Sequence, residues 1–343
     1  MELNTKRRAA PSIQVFAALT VFLLLCVVLT KGLLSAVRFM NSTGLTPTIA
    51  ARLILDDGVA LKSSQNRTNI LLLGVGGGAH EGADLTDTMV VVSLDSRQQS
   101  ASLISIPRDI WSDTLKDRVN SAYHYGEEKK EGGGLLLARV IAEDVIGAPI
   151  HYTLLVDFSG FKDVIDILGG IDVNVSKAFT DNDYPIAGRE KDTCPGDPAN
   201  RCVYETVHFD AGIEHMDGER ALKYVRSRHA DGDEGSDFAR SRRQQDVLVA
   251  LKDTLVHPMR WFSFERMTRL RLVVDEATDT DMNLGELATV AKRVAGVRND
   301  ETQRIAIDDL LYTPPAYLYG RYVLIPKKDW ETIHTFIADE LVP

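Results

Sequence analysis

Positive charge, thiols and repetition are what this sequence has little of. With 39 Lys and Arg against 49 Asp and Glu, the formal net charge is −10, which argues against a general nucleic-acid binder or a transcription regulator and leaves any anion site to a local cluster of arginines. Three cysteines are too few for a zinc centre, since Cys194 and Cys202 have no second pair at ligand spacing. There is no internal repeat and no low-complexity tract, so solenoid and disordered classes drop out. The loop Gly74–Gly78 lacks the GK[ST] ending of a nucleotide P-loop. What remains is a chain of 343 residues, 44% hydrophobic, long enough to bury one large core or two ordinary ones.

One long uncharged run is present. Ile13–Thr30 carries no charged side chain, and at about 1.5 Å rise per residue it reaches roughly 27 Å, close to the hydrocarbon thickness of a bilayer. Lys6, Arg7 and Arg8 precede it, so the positive-inside rule predicts residues 1–12 in the cytoplasm, a transmembrane helix over 13–30 and everything beyond outside the cell membrane. A cleaved signal peptide fits less well, because the run exceeds the usual apolar region of about 7–15 residues and no clear A-x-A site follows. Residues 31–68, broken by Gly44, Pro47, Asp57 and Gly58, read as a connector. The globular domain is expected over 69–343. In an oxidising exterior, Cys194 and Cys202 suit a disulfide clipping a surface insertion.

Strand and helix patterns alternate along that domain. Asn69–Leu73 reads as a buried strand, Leu135–Ile146 and Asp157–Leu168 as helices, Tyr152–Val156 and Ile171–Val175 as strands, and Thr180–Tyr204 as a long loop. His208–Gly218 reads as a short strand and turn leading into a helix at Glu219–Val225. Ser236–Val256 has the strongest helical pattern, followed by a strand at Arg271–Val274, a helix at Leu284–Ala295, a strand at Gln303–Ile307 and a closing helix at Trp330–Leu341. This order predicts a single α/β layered domain in which helices flank a central mixed β-sheet.

Two stretches gather the chemistry. Met89–Leu94 and Ala101–Ile106 are β-prone runs around the polar loop Asp95–Ser100, and symmetrical antiparallel pairing would set Asp87 opposite Arg108 at the open end of a hairpin. Asp84 and the Gly74–Gly78 loop approach the same edge. The second stretch, YVRSRHADGDEGSDFARSRRQQ, carries Arg226, Arg228, Arg240, Arg242 and Arg243. On a helix from Ser236, residues 240, 243 and 244 continue the apolar stripe of Val247, Leu251 and Leu255. Arg242 points away and reads as a solvated partner of nearby acids. Inward guanidinium groups need anions, and their forked donors match phosphate oxygens.

LTDTMVVVSLD, LISIPRD, RVNSAYHYG, GGIDVNV, MDGERALKYVRSRH and DFARSRRQQ occur here in the order found in the LytR–CpsA–Psr family of cell-envelope phosphotransferases, which the chain resembles from about Asn69 onward. The resemblance implies transfer of a phosphoglycan from a polyprenyl-pyrophosphate carrier to peptidoglycan or another envelope acceptor, with Mg²⁺ or another divalent cation assisting pyrophosphate cleavage. Hydrolysis of the donor would be the side reaction. By motif, Asp87 resembles the metal and catalytic carboxylate and Arg108 the pyrophosphate-binding arginine, while Arg226, Arg228, Arg240 and Arg243 fall on the remaining arginine positions and Gln244 follows. Where many members have an aspartate, LGVGGG offers Gly76, so Asp84 is the expected second metal carboxylate. His124, His151 and His229 match no motif role. A non-catalytic module that captures polyprenyl (pyro)phosphate is the alternative reading.

Overall fold

The computed structural model describes residues 58–77, 82–186, 188, 189, 192–197, 201–257 and 263–341, together with Thr48 and Arg52. The expected transmembrane helix over 13–30 and most of the connector lie outside these residues. Among the described residues no helix is long and apolar enough to cross a membrane. Ala60–Pro343 forms one compact unit.

Its centre is a six-stranded mixed sheet. Strands β1 (Arg67–Val75), β2 (Thr86–Asp95) and β3 (Ala101–Ser105) form an antiparallel meander, to which β6 (Tyr152–Asp157) adds parallel beside β1 and β12 (Thr302–Ala306) parallel beside β3. Strand β11 (Thr278–Thr280) closes the β6 edge in antiparallel fashion. β4 (Trp111–Ser112) pairs with β5 (Asp117–Arg118) beyond β3. A second layer of ribbons pairs β7 (Ile171–Val175) with β10 (Gly212–Met216), and β8 (Phe179–Pro185) with β9 (Tyr204–Phe209). Near the C-terminus β13 (Leu311–Tyr312) pairs with β14 (Ile325–Pro326).

Alternation along the strands sorts side chains between the two faces. Leu71, Leu73, Val75, Met89, Val91 and Ile104 pack in one core with α2 (Gly134–Ile146) and α8 (Trp330–Leu341). Ile70, Leu94 and Ala101 face the other way, towards Met282, Val297 and partly buried residues of α7 (Leu284–Gly296). A third cluster joins the ribbons to α3 (Phe158–Leu168), α4 (Gly218–Arg226) and α5 (Asp237–Leu255). Helix α5 lies against β3, where Gln245 Nε2 donates to Ser105 Oγ at 2.9 Å.

Two sequence expectations are corrected. Arg271–Val274 is not a strand but lies inside α6 (Phe264–Ala277). Its Val–Val pair is β-prone in isolation, yet Ser263 caps the helix by accepting from Arg266 N at 3.1 Å, and Arg271 pairs with Asp275 one turn on at 3.3 Å. Thr180–Tyr204 is not all loop, because its ends are the paired strands β8 and β9, bracketing the Cys194–Cys202 disulfide. Ala122–Lys129 forms helix α1. Gly126 lets α1 meet α2 closely, since a Cβ there would lie 2.5 Å from the Gly133 carbonyl oxygen.

Candidate active site

The hairpin pairs as its symmetry predicted, with Leu94 opposite Ala101 and Val90 opposite Ser105. Ile106 N still donates to Met89 O at 2.9 Å, after which Pro107, having no N–H, ends the ladder. On the facing strand, Gly74 pairs with Thr88 and Val75 with Thr86, so Asp87 is the bulged residue between β1 and β2. A bulge re-aims the extra side chain away from the regular pleat. The bulge sits against Gly74, where a Cβ would lie 3.0 Å from Thr88 Cβ.

Arg108 Nη1 donates to Asp87 Oδ1 and Nε donates to Asp109 Oδ2 at 3.3 Å. Asp109, itself buried, is also held by Arg118 Nη1 at 2.8 Å. Burial acts to depress the Arg108 pKa, but the two carboxylates outweigh it and the net shift is upward. Arg108 is therefore a fixed cation.

Helix α5 supplies the next charge. Ser236 caps it by accepting from Ala239 N at 3.2 Å. Arg240, 6% exposed, brings Nη1 within 2.6 Å of Asp237 Oδ1, yet the angle makes no hydrogen bond and that nitrogen has no hydrogen-bond partner. Burial presses the Arg240 pKa down against the pull of Asp237, and the nearby Arg108 adds to the depression. A buried guanidinium next to a second cation, ion-paired to one carboxylate but without a hydrogen bond from Nη1, is a group that a further anion in the cleft would stabilise.

Two adjoining clefts share Asp87, Arg240 and Gln244. The first is walled by Arg108, Asp109, Asp237, Phe238 and Leu324. The second, about 90 Å³, is walled by Thr88, Phe158, Tyr184, Arg226, Arg228 and His229. Together the linings hold four guanidinium groups (Arg108, Arg226, Arg228, Arg240) against three carboxylates (Asp87, Asp109, Asp237), a locally positive spot in an acidic chain. Arg226 stacks 4.7 Å above the Phe158 ring and faces Tyr184, whose hydroxyl burial pushes up to about 12.

The structure brings together Asp87, Arg108, Arg226, Arg228, Arg240 and Gln244, but not Arg243 or Asp84. Arg243 is buried behind the clefts, giving Nε to Tyr224 O at 3.0 Å, Nη2 to Ser227 O at 2.6 Å and Nη1 to Glu234 O at 2.9 Å. It ties down the turn carrying Arg226 and Arg228. Asp84 lines neither cleft and bonds His124 Nδ1 at 2.6 Å. That contact raises the His124 pKa. Sequence reasoning missed Asp181, which is fully buried and accepts from Ser227 Oγ, Arg228 N and His229 N at 2.8, 2.9 and 3.1 Å. It also missed Asp109 as a partner of Arg108, while Asp237, one of the acids read as able to pair with the arginine cluster, does pair with Arg240. The order IPRD could have suggested Asp109. For Asp181 no local signal existed.

The family model of LytR_cpsA_psr matches residues 44–330. A polyisoprenyl-teichoic acid–peptidoglycan teichoic acid transferase TagU of Oceanobacillus iheyensis is 28% identical over 250 residues, covering 71% of this chain and 67% of that protein. A Bacillus subtilis protein with the same description, TagV, is 30% identical over 261 residues, covering 73% of this chain and 59% of that one. The match thus spans about three fifths to two thirds of these relatives' length. The crystal structure of B. subtilis TagV superposes with a TM-score of 0.57 at 24% identity, over 81% of this chain and 98% of that one, which shows a shared fold.

Proposed function

The chain belongs to the LytR–CpsA–Psr family, and on that premise we propose that it moves a phosphoglycan from a polyprenyl-pyrophosphate carrier to peptidoglycan or another envelope acceptor. The observation that carries this reading is the convergence of Arg108, Arg226, Arg228 and Arg240 on two adjoining clefts, with the buried Arg240 Nη1 ion-paired to Asp237 but making no hydrogen bond. Phosphoryl transfer asks little covalent help of a protein and much charge stabilisation, which preorganised guanidinium groups provide. The acceptor hydroxyl oxygen bonds the phosphorus bearing the glycan, the bridging P–O bond breaks, and polyprenyl phosphate leaves. The hydroxyl proton needs a carboxylate, and Asp87, 36% exposed at its side chain, is the accessible candidate.

The donor set fits a divalent ion only in part. Among the described residues no group of three or more His, Cys, Asp or Glu could cage a metal. Mg²⁺ commonly uses one or two carboxylates and completes its shell with water and substrate phosphates. Asp87 would hold it, and the ion would neutralise charge on the phosphate oxygens. An anchor at 13–30 with the domain outside the membrane agrees with the Cys194–Cys202 disulfide, a bond at home in an oxidising compartment.

The test is cleavage of a polyprenyl-pyrophosphate donor by the full chain with Mg²⁺. Turnover is expected, and Arg108→Ala should reduce it by ~10²–10³-fold, the cost of losing one preorganised charge stabiliser. Tight donor binding by the wild type without turnover would sink the enzyme in favour of the capture module.

A further inference from the structure

Exposed apolar side chains on a folded protein are ordinary when scattered and informative when grouped. Residues 311–326, LYTPPAYLYGRYVLIP, form a hairpin closed at its base by β13 and β14. Its outer part exposes Tyr317 (84%), Leu318 (60%), Tyr322 (50%) and Tyr312 (44%). The hairpin is nevertheless fixed in place. Leu324 N donates to Asp109 O at 2.8 Å and Trp111 N donates to Leu324 O at 2.9 Å. The Trp111 and Tyr319 rings meet edge-on with centroids 4.9 Å apart. The entropy of ordering a binding surface is therefore already spent in folding.

Its position gives the surface a use. Leu324 walls the first cleft, and its backbone bonds run to the residue next to Arg108. Phe238, 42% exposed, stands on the same cleft wall from α5. An acceptor that brings a hydroxyl to the cleft must lie across the ground beside it.

We propose that this tyrosine-bearing hairpin is the platform on which sugar rings of the acceptor polysaccharide stack, with Leu324 marking where it adjoins the phosphate cleft. This rests on the transferase reading above. Tyrosine suits the task because the electron-rich ring face meets the polarised C–H face of a pyranose, while the phenol hydroxyl can exchange hydrogen bonds with sugar hydroxyls. A membrane surface fits less well. Anionic headgroups draw clusters of Lys and Arg, whereas residues 311–326 hold a single basic residue, Arg321, whose Nη1 is bonded to Asp117 Oδ1 at 2.8 Å, and Lys327 and Lys328 follow only at the hairpin's base, away from the exposed tyrosines in sequence.

The experiment titrates full-length protein with a soluble β-1,4-linked N-acetylglucosamine tetrasaccharide, read by saturation-transfer NMR, in the wild type and in Tyr317→Ala and Tyr322→Ala. Donor hydrolysis in water is measured alongside. Each variant should bind the tetrasaccharide roughly 3–10-fold more weakly, the scale of one aromatic contact, with hydrolysis unchanged and Tyr317→Phe close to wild type. Equal binding by wild type and both Ala variants, or no binding by the wild type, would overturn the platform while leaving donor cleavage standing. So would loss of anionic-vesicle binding in the Ala variants when the wild type takes up no sugar. Loss of sugar binding in a protein that never cleaves the donor would instead support the platform and defeat the transferase reading.

Discussion

Arg240 and Arg243 stand one turn apart on α5, at 6% and 1% exposure, and are put to different uses. Arg243 spends its donors on three backbone carbonyls and the Glu234 carboxylate, with Nη1 3.3 Å from Oε2 and the guanidinium 4.7 Å from the Phe179 ring centre. Arg240 is ion-paired to Asp237 through Nη1 at 2.6 Å, and that nitrogen makes no hydrogen bond although the residue walls both clefts. Burial alone therefore does not identify a ligand-binding arginine. What distinguishes the two is whether the chain satisfies the guanidinium from its own atoms.

Removing each arginine in turn should separate stability from chemistry. Arg243→Met has the larger structural consequence, since it strips three buried carbonyls of their donor and leaves the buried Glu234 carboxylate with Arg242 as its remaining partner, Nη2 to Oε1 at 2.8 Å. A loss of about 3–5 kcal/mol in urea-unfolding free energy is expected. A loss under ~1 kcal/mol would show that surrounding water takes over those carbonyls and would erase the contrast. Arg240→Ala should leave the unfolding midpoint near wild type and reduce donor turnover by ~10²–10³-fold. Wild-type turnover with a broken fold would invert the assignment.

The same contrast marks how far local sequence could be read. Hairpin register was legible because β2 and β3 are neighbours in the chain and their alternation fixes the pairing, which carried Asp87 to Arg108. The inward stripe of α5 was legible from its helical period. That nearby acids pair with these arginines was legible too, and Asp237 and Glu234 do so, but the carbonyls that satisfy Arg243 were not, because Tyr224 and Ser227 lie across a turn whose geometry Asp181 sets from β8. Arg271–Val274 failed for a related reason, in that a short β-prone window says little when a cap eight residues upstream has already committed the chain to helix.

The smallest expected effect lies at Asp308, a carboxyl within the field of Asp237. Asp308 has a buried Oδ1 with no hydrogen-bond partner, and burial, aided by Asp309 and Asp237, lifts its pKa from 3.8 to about 6. Between those values the folded chain binds a proton that the unfolded chain has released. This contribution to stability is therefore complete at low pH and is lost as pH rises through about 6. Asn imitates the protonated acid and cannot ionise, so Asp308→Asn should melt at the wild-type temperature near pH 4 and roughly 2–4 °C higher at pH 8, the shift that ~1 kcal/mol produces in a domain of this size. A gain of equal size at both pH values would mean that the substitution acts through packing. It would also remove the case that Asp309 and Asp237 hold the Asp308 proton in the folded chain.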